Sequence, residues 1–553
     1  MPTHDEAAAG LAGITAADGR RHALADVLII GGGPAGTWAA ISAAARGARV
    51  ILADKGYCGT SGATAPSGTG VWHVPPEGDA REKAKASRWD MGGHLAEHDW
   101  MDRVLAQTWA QVAQLAEWGY PFPRDERGQF VATSLQGPEY MRLMRKQAKA
   151  AGARIWDHSP ALELLVDAQG TVAGAAGVNR QTGESWSVHA GAVVLATGGC
   201  AFLSRALGCN VLTGDGYLMA AETGAALSGM EFSNAYGLGP AFSSVTKSLF
   251  YNWATFYDGH GQVIEGAGSS RGRGIIAKTL QTEPVYACLD HADPQIQAWM
   301  RRAQPNFFVS FDRQRIDPFT QHFPVTLRLE GTVRGTGGLQ VVDASCATTV
   351  PGLYAAGDAA TRELICGGFT GGGSHNAAWA LSSGFWAGAG AADFARGTRA
   401  FAHRPRQSAG RAGARLQDGT AGQTGAIDSA ALIAAVQAEV FPTERNWTRQ
   451  ADLLRDSLTR LDAWWQRARA SSAPGDAAER VRTREAIAML ATARWMYRSA
   501  LARPETRGMA RRADHTAIDP AQRHRLLSGG LDEVWTRPQA VAERAHNGYQ
   551  EAA

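Results

Sequence analysis

The chain has 553 residues, 45% of them hydrophobic and 19% charged, with a formal net charge of +3 at neutral pH. These proportions are ordinary for a globular protein and exclude wholesale disorder, and a charge so near balance gives no electrostatic argument for a nucleic-acid partner. Glycine is abundant, at 65 residues, but has no fixed period; this excludes a collagen-like chain and assigns glycine to tight turns and close backbone approaches.

In chain order, residues 1–22 read as a polar, Ala/Gly-rich arm. Arg20 and Arg21 suggest a twin-arginine export signal. However, the apolar run behind them is only Val27 to Ile30 and enters a glycine loop, the pattern of a buried strand. From Asp26 the chain runs strand, glycine turn, helix, strand, a βαβ unit with a crossover of normal length. Residues 80–120 have helical spacing, with Trp89, Trp100, Trp109 and Trp118 read as helix packing. Strands joined by Asp/Gly turns are expected over 153–195. A stretch rich in glycine and aromatics, 236–330, breaks the strand–helix rhythm and reads as an inserted α+β capping domain. The rhythm returns at 331–394. Residues 395–428 are low in complexity and read as a linker. The part from 429 to 553 reads as a helical C-terminal domain with an irregular tail. No apolar run reaches the roughly 18 residues of a membrane helix. The six cysteines (Cys58, Cys200, Cys209, Cys288, Cys346, Cys366) form no C-x-x-C pair, which argues against a zinc or iron–sulfur site and fits the reducing cytoplasm.

The first chemical signal is Gly31-Gly32-Gly33-Pro34-Ala35-Gly36, a G-x-G-x-x-G between a strand and a helix. Gly31 permits the tight turn, Gly33 lets a pyrophosphate reach the backbone, and Gly36 lets the helix pack on the strand. The helix N-terminus then offers unpaired N–H groups to the phosphate charge. Asp54 closes the second strand 18 residues after Gly36, where a carboxylate accepts from ribose hydroxyls. The expected fold is therefore α/β: a Rossmann-like dinucleotide-binding domain built from 23–235 and 331–394, with the cap inserted.

Two further strand ends, Ala196-Thr197-Gly198-Gly199 and Leu353-Tyr354-Ala355-Ala356-Gly357-Asp358, accompany TGDGYLMAAETGAALSGMEF, GGLQVV and the late ALARPETRGMARRAD. In this order the segments resemble the flavoprotein subunit family of fumarate reductase and succinate dehydrogenase, which includes L-aspartate oxidase and the adenylylsulfate reductase alpha subunit. The resemblance implies FAD as the cofactor. It places Gly31, Gly33, Pro34, Ala35, Gly36, Asp54, Lys55, Thr60, Ser61, Gly62, Thr64 and Ala161 against it. It adds Ala196, Thr197, Gly198, Asp215, Gly357, Asp358, Ser374, His375 and Asn376, with Asp358 at the ribityl chain. Covalent members carry Ser-His-Thr where this chain has Ser61-Gly62-Ala63, which implies non-covalent FAD.

The family's substrate residues are mostly missing. Tyr236 stands where dicarboxylate-reducing members have a histidine after MEF, and Lys247 is the nearest cation to the R-G-E-G-G position. The H-Y-T-M-G-G histidine falls near Val333 and the N-R-L-G-G arginine near Gly371. A two-carboxylate substrate needs a charge-assisted partner at each end, so succinate and fumarate are not the expected substrates. The candidates for catalysis are Arg334, His375, Lys247, Tyr236 and Arg273. Arg334 reads either as a cation beside substrate and flavin or as a paired turn arginine. His375 reads either as a proton donor or as a helix cap. Only seven of the 55 basic residues are lysine, so each arginine carries less information than usual. Glu505 to Gly508 read as docking of the helical tail.

The expected function is oxidation or reduction of a small anionic substrate. By analogy with the adenylylsulfate reductase branch, electrons would be exchanged with a separate ferredoxin-like iron–sulfur partner; no metal site in the chain, no nucleic-acid partner and no membrane span are expected. Self-association is left open. Two alternatives stand beside this reading. One is a self-contained dehydrogenase or oxidase for an apolar, ketosteroid-like substrate, suggested by Phe250, Tyr251, Trp253, Phe256 and Tyr257. The other is a non-catalytic flavin-binding scaffold.

Overall fold

Val27, Leu28, Ile29 and Ile30 are buried on both faces of their strand, as are Val50, Ile51 and Leu52. Unbroken apolar runs of this kind belong in a parallel sheet covered on both sides. The computed structural model describes residues 14–15, 21–123, 128, 130–246, 248–268, 272–370, 372–397, 405–410, 425–472 and 474–541. The 1–22 arm, the 395–428 linker, Lys247 and Gly371 therefore lie largely or wholly outside the described residues.

Strand β1 (Arg21–Ile30) leads through the glycine loop into helix α1 (Pro34–Ala45) and strand β2 (Val50–Ala53). Strand β3 (Arg154–Trp156) extends the sheet beyond β2, and an antiparallel meander follows: β4 (Ala161–Val166), β5 (Val172–Val178) and β6 (Ser185–Leu195). Strand β6 pairs in parallel with β1 along its length, from His22 opposite Ser187 to Ile30 opposite Leu195.

The cap is a four-stranded antiparallel sheet of β7 (Ala235–Pro240), β8 (Thr255–Tyr257), β9 (Val285–Cys288) and β10 (Phe323–Glu330), in the order β7-β10-β9-β8. Its core is aromatic: Phe250, Phe256, Phe307, Phe308, Phe311 and Phe323 are all buried together. Strands β7 and β10 lead into and out of the cap side by side, with Tyr236 opposite Leu329. That register sets Tyr236 near Glu330 and the short helix Gly331–Arg334.

Strand β11 (Leu353–Ala355) returns to the main sheet, parallel to the end of β6. Helix α2 (Gly372–Gly397) then lies against α1. The contact is close because it is built from small residues. A Cβ at Gly384 would lie 2.3 Å from the Ala35 carbonyl oxygen, and one at Gly388 would lie 2.2 Å from that of Ala39.

Helices α3 (Ser429–Val440), α4 (Ala451–Ala470) and α5 (Ala477–Ala502) form the C-terminal helical part. The sequence beyond them suggested an irregular tail, but it folds into a hairpin of β12 (His524–Gly529) and β13 (Trp535–Ala540). This hairpin completes a sheet with Leu227–Ser228 and Gly338–Leu339. Buried ion pairs fasten the join: Arg503 to Glu231 at 2.8 Å, Arg503 to Glu505 at 2.8 Å and Arg507 to Glu505 at 2.7 Å. Among the described residues no helix is long and apolar enough to cross a membrane.

Candidate active site

The glycine loop is sterically specified. Gly31 has φ +111, and a Cβ there would sit 2.2 Å from the Ala196 carbonyl oxygen; at Gly36 it would sit 1.8 Å from that of Gly31. Gly33 differs, because nothing lies within 4 Å of its notional Cβ. It precedes α1, whose N-terminus has no side-chain cap. Open space beside uncapped helix N–H groups is a receptor for a diphosphate.

This loop forms one end of a cavity of about 1160 Å³ that runs to the inner face of the cap and to the C-terminal part. Gly31, Gly33, Pro34, Ala35, Ser61, Gly62, Thr64, Ala161, Ala196, Thr197 and Gly198 line it, together with Gly357, Asp358, Ser374 and Asn376. Gly36 stands behind the loop as a packing contact. Ser67, Gly68, Thr69 and Gly70 also line the cavity.

Several expected cofactor contacts have other partners. Asp54 lines the cavity but is buried, and it accepts from Gly32 N at 2.6 Å, Gly56 N at 2.7 Å and Ser61 Oγ at 2.7 Å. It therefore ties the glycine loop to the following turn. Lys55 pairs with Asp215 at 2.5 Å and Glu485 at 2.9 Å. Burial opposes the Lys55 charge, yet the two carboxylates outweigh it and hold the ammonium above its usual range. Lys55 and Asp215 thus bind the nucleotide end of the cavity to α5. Thr60 is exposed, donates to the Tyr57 carbonyl at 3.3 Å and stays outside the lining. His375 is also outside it: the ring packs on Trp72 at 4.4 Å, with Ser374 Oγ at 3.1 Å from Nδ1.

At the opposite end, Tyr236, Arg273 and Arg334 come together in the lining, while Lys247 lies outside the described residues. The Tyr236 hydroxyl donates to the carbonyls of Val440 at 3.0 Å and Phe441 at 3.2 Å, and burial holds it well above the usual phenol range. It is therefore engaged with the C-terminal part and is not poised to release a proton. Arg273 opens a short helix after Gly272, whose φ of +88 makes the turn. Arg334 pairs with fully buried Glu330 at 3.2 Å, and Thr246 Oγ1 donates to the same carboxylate at 2.6 Å.

A third arginine, Arg511, lies in the late ALARPETRGMARRAD segment, where only docking of the helical tail was expected; its guanidinium lies over Trp447 at 4.7 Å from the ring centroid, and both residues line the cavity. Burial, with Arg334 and Arg511 nearby, pushes the Arg273 guanidinium down to about 10. Three guanidiniums and one carboxylate leave this end with an excess of positive charge.

Residues 26–235 match the FAD binding domain family model. The chain is 28% identical to the L-aspartate oxidase of Streptomyces coelicolor over 377 residues, which is 61% of this chain and 63% of that protein. It is 26% identical to the fumarate reductase flavoprotein subunit of Mycobacterium tuberculosis over 422 residues, 67% of this chain and 70% of that one. With an FAD binding domain and these relatives, the chain fits the fumarate reductase/succinate dehydrogenase flavoprotein superfamily. Its fold agrees with E. coli quinol fumarate reductase at a TM-score of 0.78 and 21% identity, covering 94% of this chain and 97% of that one.

The site fits the FAD that this flavoprotein superfamily binds. Gly33 leaves room for the diphosphate, and the buried Asn376 carbonyl oxygen, without a partner in the protein, faces the same cavity as Gly357 and Asp358. Asp358 is held by a short ion pair to buried Arg362. Bound FAD would supply the electron chemistry, and the arginine-lined end of the cavity is left for a substrate.

Proposed function

We propose that this FAD-dependent oxidoreductase acts on a small anionic substrate other than succinate or fumarate. The observation that carries the reading is the cluster of Arg273, Arg334 and Arg511 around the single carboxylate Glu330 at the cap end of the cavity. Guanidiniums fixed in a buried site bind oxyanions strongly and stabilise negative charge that develops there. Tyr236 and Glu330 orient the cluster: the Tyr236 carbonyl accepts from Arg273 Nη1 at 3.2 Å, and Glu330 holds Arg334.

Of the aromatic run that suggested an apolar substrate, Phe250 and Tyr251 line the cavity, while Trp253, Phe256 and Tyr257 do not. Phe256 packs with Tyr251, and Phe250 packs with Phe307 and Phe308. The arginines favour the anionic reading over it.

Electron exchange with a separate iron–sulfur partner belongs to the same proposal. All six cysteines are free and buried, and among the described residues no group of three or more His, Cys, Asp or Glu is placed to hold a metal.

The test is an anaerobic screen of the FAD-loaded protein against small carboxylic and sulfur oxyacids, with neutral steroids as the opposing set. Bleaching of the flavin's visible absorbance by an acid, or reoxidation of reduced flavin by one, is the expected result. Turnover with the steroids alone would overturn the reading. Slow reoxidation in air after an acid has reduced the flavin, accelerated by a reconstituted ferredoxin, is expected for a partner-dependent enzyme.

A further inference from the structure

Arg511 enters the cavity from the C-terminal part, whereas Arg273 comes from the cap and Arg334 from the segment that follows β10. Its position is firmly set by the chain on both sides. Arg512 donates to the carbonyls of Ala500 at 2.9 Å and Arg503 at 3.1 Å and pairs with Asp514 at 2.8 Å. The Arg511 carbonyl itself accepts from Arg449 N at 2.9 Å. Upstream, Glu505 holds both Arg503 and Arg507 in full burial. These bonds fix the backbone on both sides of Arg511.

No carboxylate among the described residues pairs with the Arg511 guanidinium. Its neighbour Trp447 supplies an aromatic face at 4.7 Å and packs edge-on against Tyr236 at 5.6 Å between centroids. Glu330, the carboxylate of this end, is already shared by Arg334 and Thr246. Burial disfavours the Arg511 charge with no compensating anion. A half-buried cation of this kind facing a cavity is suited to a ligand anion that completes the pair.

We propose that Arg511 is a specificity-determining residue that receives a second oxyanion group of the substrate, the first being held by Arg273 and Arg334. The preferred ligands then carry two anionic groups, separated by the distance between the cap wall and the C-terminal wall. This rests on the anionic-substrate reading and sharpens it. The residues concerned are not those whose absence argues against succinate and fumarate, so the expected spacing or geometry of the two groups differs.

The experiment titrates the full-length FAD-loaded protein with dicarboxylates from malonate to adipate and with monocarboxylates from propionate to hexanoate, read as perturbation of the flavin spectrum. In the wild type, one dicarboxylate should bind at least about 10-fold more tightly than the monoacid of equal length. In Arg511→Gln that dicarboxylate should weaken by about 10- to 100-fold, as for loss of a charge-assisted hydrogen bond, while monoacids change by less than about 3-fold. Arg511→Lys should recover part of the difference, and it carries the comparison if the glutamine variant loses FAD or unfolds. Equal weakening of mono- and diacids, or no weakening, overturns the assignment of Arg511. A wild type that binds monoacids but prefers no diacid overturns this inference and leaves the anionic-substrate reading intact. A wild type that binds neither overturns both.

Discussion

Arg273 donates from Nη1 to the carbonyl oxygen of Tyr236 at 3.2 Å, and Tyr236 carries its hydroxyl away from the cavity to the carbonyls of Val440 and Phe441. One residue thus fixes the cation and clamps the C-terminal part. The two functions separate by mutation. Tyr236→Phe keeps the carbonyl and should retain flavin reduction, while stability falls by about 1–2 kcal/mol from the lost hydroxyl bonds. Arg273→Gln should slow flavin reduction by a substrate acid by about 100-fold or more with FAD content unchanged. Stopped-flow reduction and thermal melts of both variants check the pair.

Ser61-Gly62-Ala63 offers no imidazole for a bond to the flavin. Acid precipitation of the holoprotein should therefore release all flavin into the supernatant. Yellow colour retained in a washed pellet would contradict this.

Gly31→Ala adds a Cβ where the Ala196 carbonyl oxygen is 2.2 Å away, at a φ that L residues rarely adopt. The variant should purify with little or no FAD and melt well below the wild type. Gly33→Ala meets only open space in the protein, so it should fold normally yet bind FAD more weakly, because the added methyl competes with the diphosphate. Flavin-to-protein ratios and melting temperatures distinguish the two outcomes.

Lys55 joins Asp215 and Glu485 across 430 positions of sequence. Lys55→Met leaves both carboxylates without their shared cation, and stability should drop by about 3 kcal/mol. Because Lys55 also holds the Val211 carbonyl at 3.1 Å beside the cavity, FAD retention on dilution should fall with it. Chemical denaturation of holo and apo forms measures both effects.

Glu363 is fully buried; burial, reinforced by nearby Glu231, pushes its carboxyl up to about 7. Its proton is therefore held more tightly in the folded than in the unfolded chain. Its contribution to stability is complete below the unfolded value near 4.5 and is lost as pH rises toward 7, by on the order of 1–3 kcal/mol. Glu363→Gln should flatten this part of the stability profile and raise the melting temperature at pH 8 relative to wild type. Melts at half-unit steps from pH 5 to 8 provide the comparison.

The nucleotide half of the fold was legible because its signals are local. Apolar runs such as Val27 to Ile30 mark strands buried on both faces, and Gly36 is demanded by a contact with Gly31 within one turn-and-helix unit. Side-chain direction was less legible. His375 does sit near the start of α2, but its ring packs on Trp72, and Thr60 points to solvent although its neighbours line the cavity. Lys55 follows a strand end that faces nucleotide, yet its partner Glu485 is supplied by a distant helix. Arg511 lay beyond sequence reasoning for a related reason: only the return of the C-terminal segment, fixed by Arg503, Glu505 and Arg512, brings it to Arg273.

Three like charges in one buried space repel one another, and here they arrive on three separate stretches of chain. Without a ligand, that repulsion acts across the seams between cap, dinucleotide-binding domain and C-terminal part. An anion seated among them reverses its sign, because each guanidinium is then attracted to a common centre. The substrate would thus act as mortar between the walls that recognise it, and its departure would loosen the same seams.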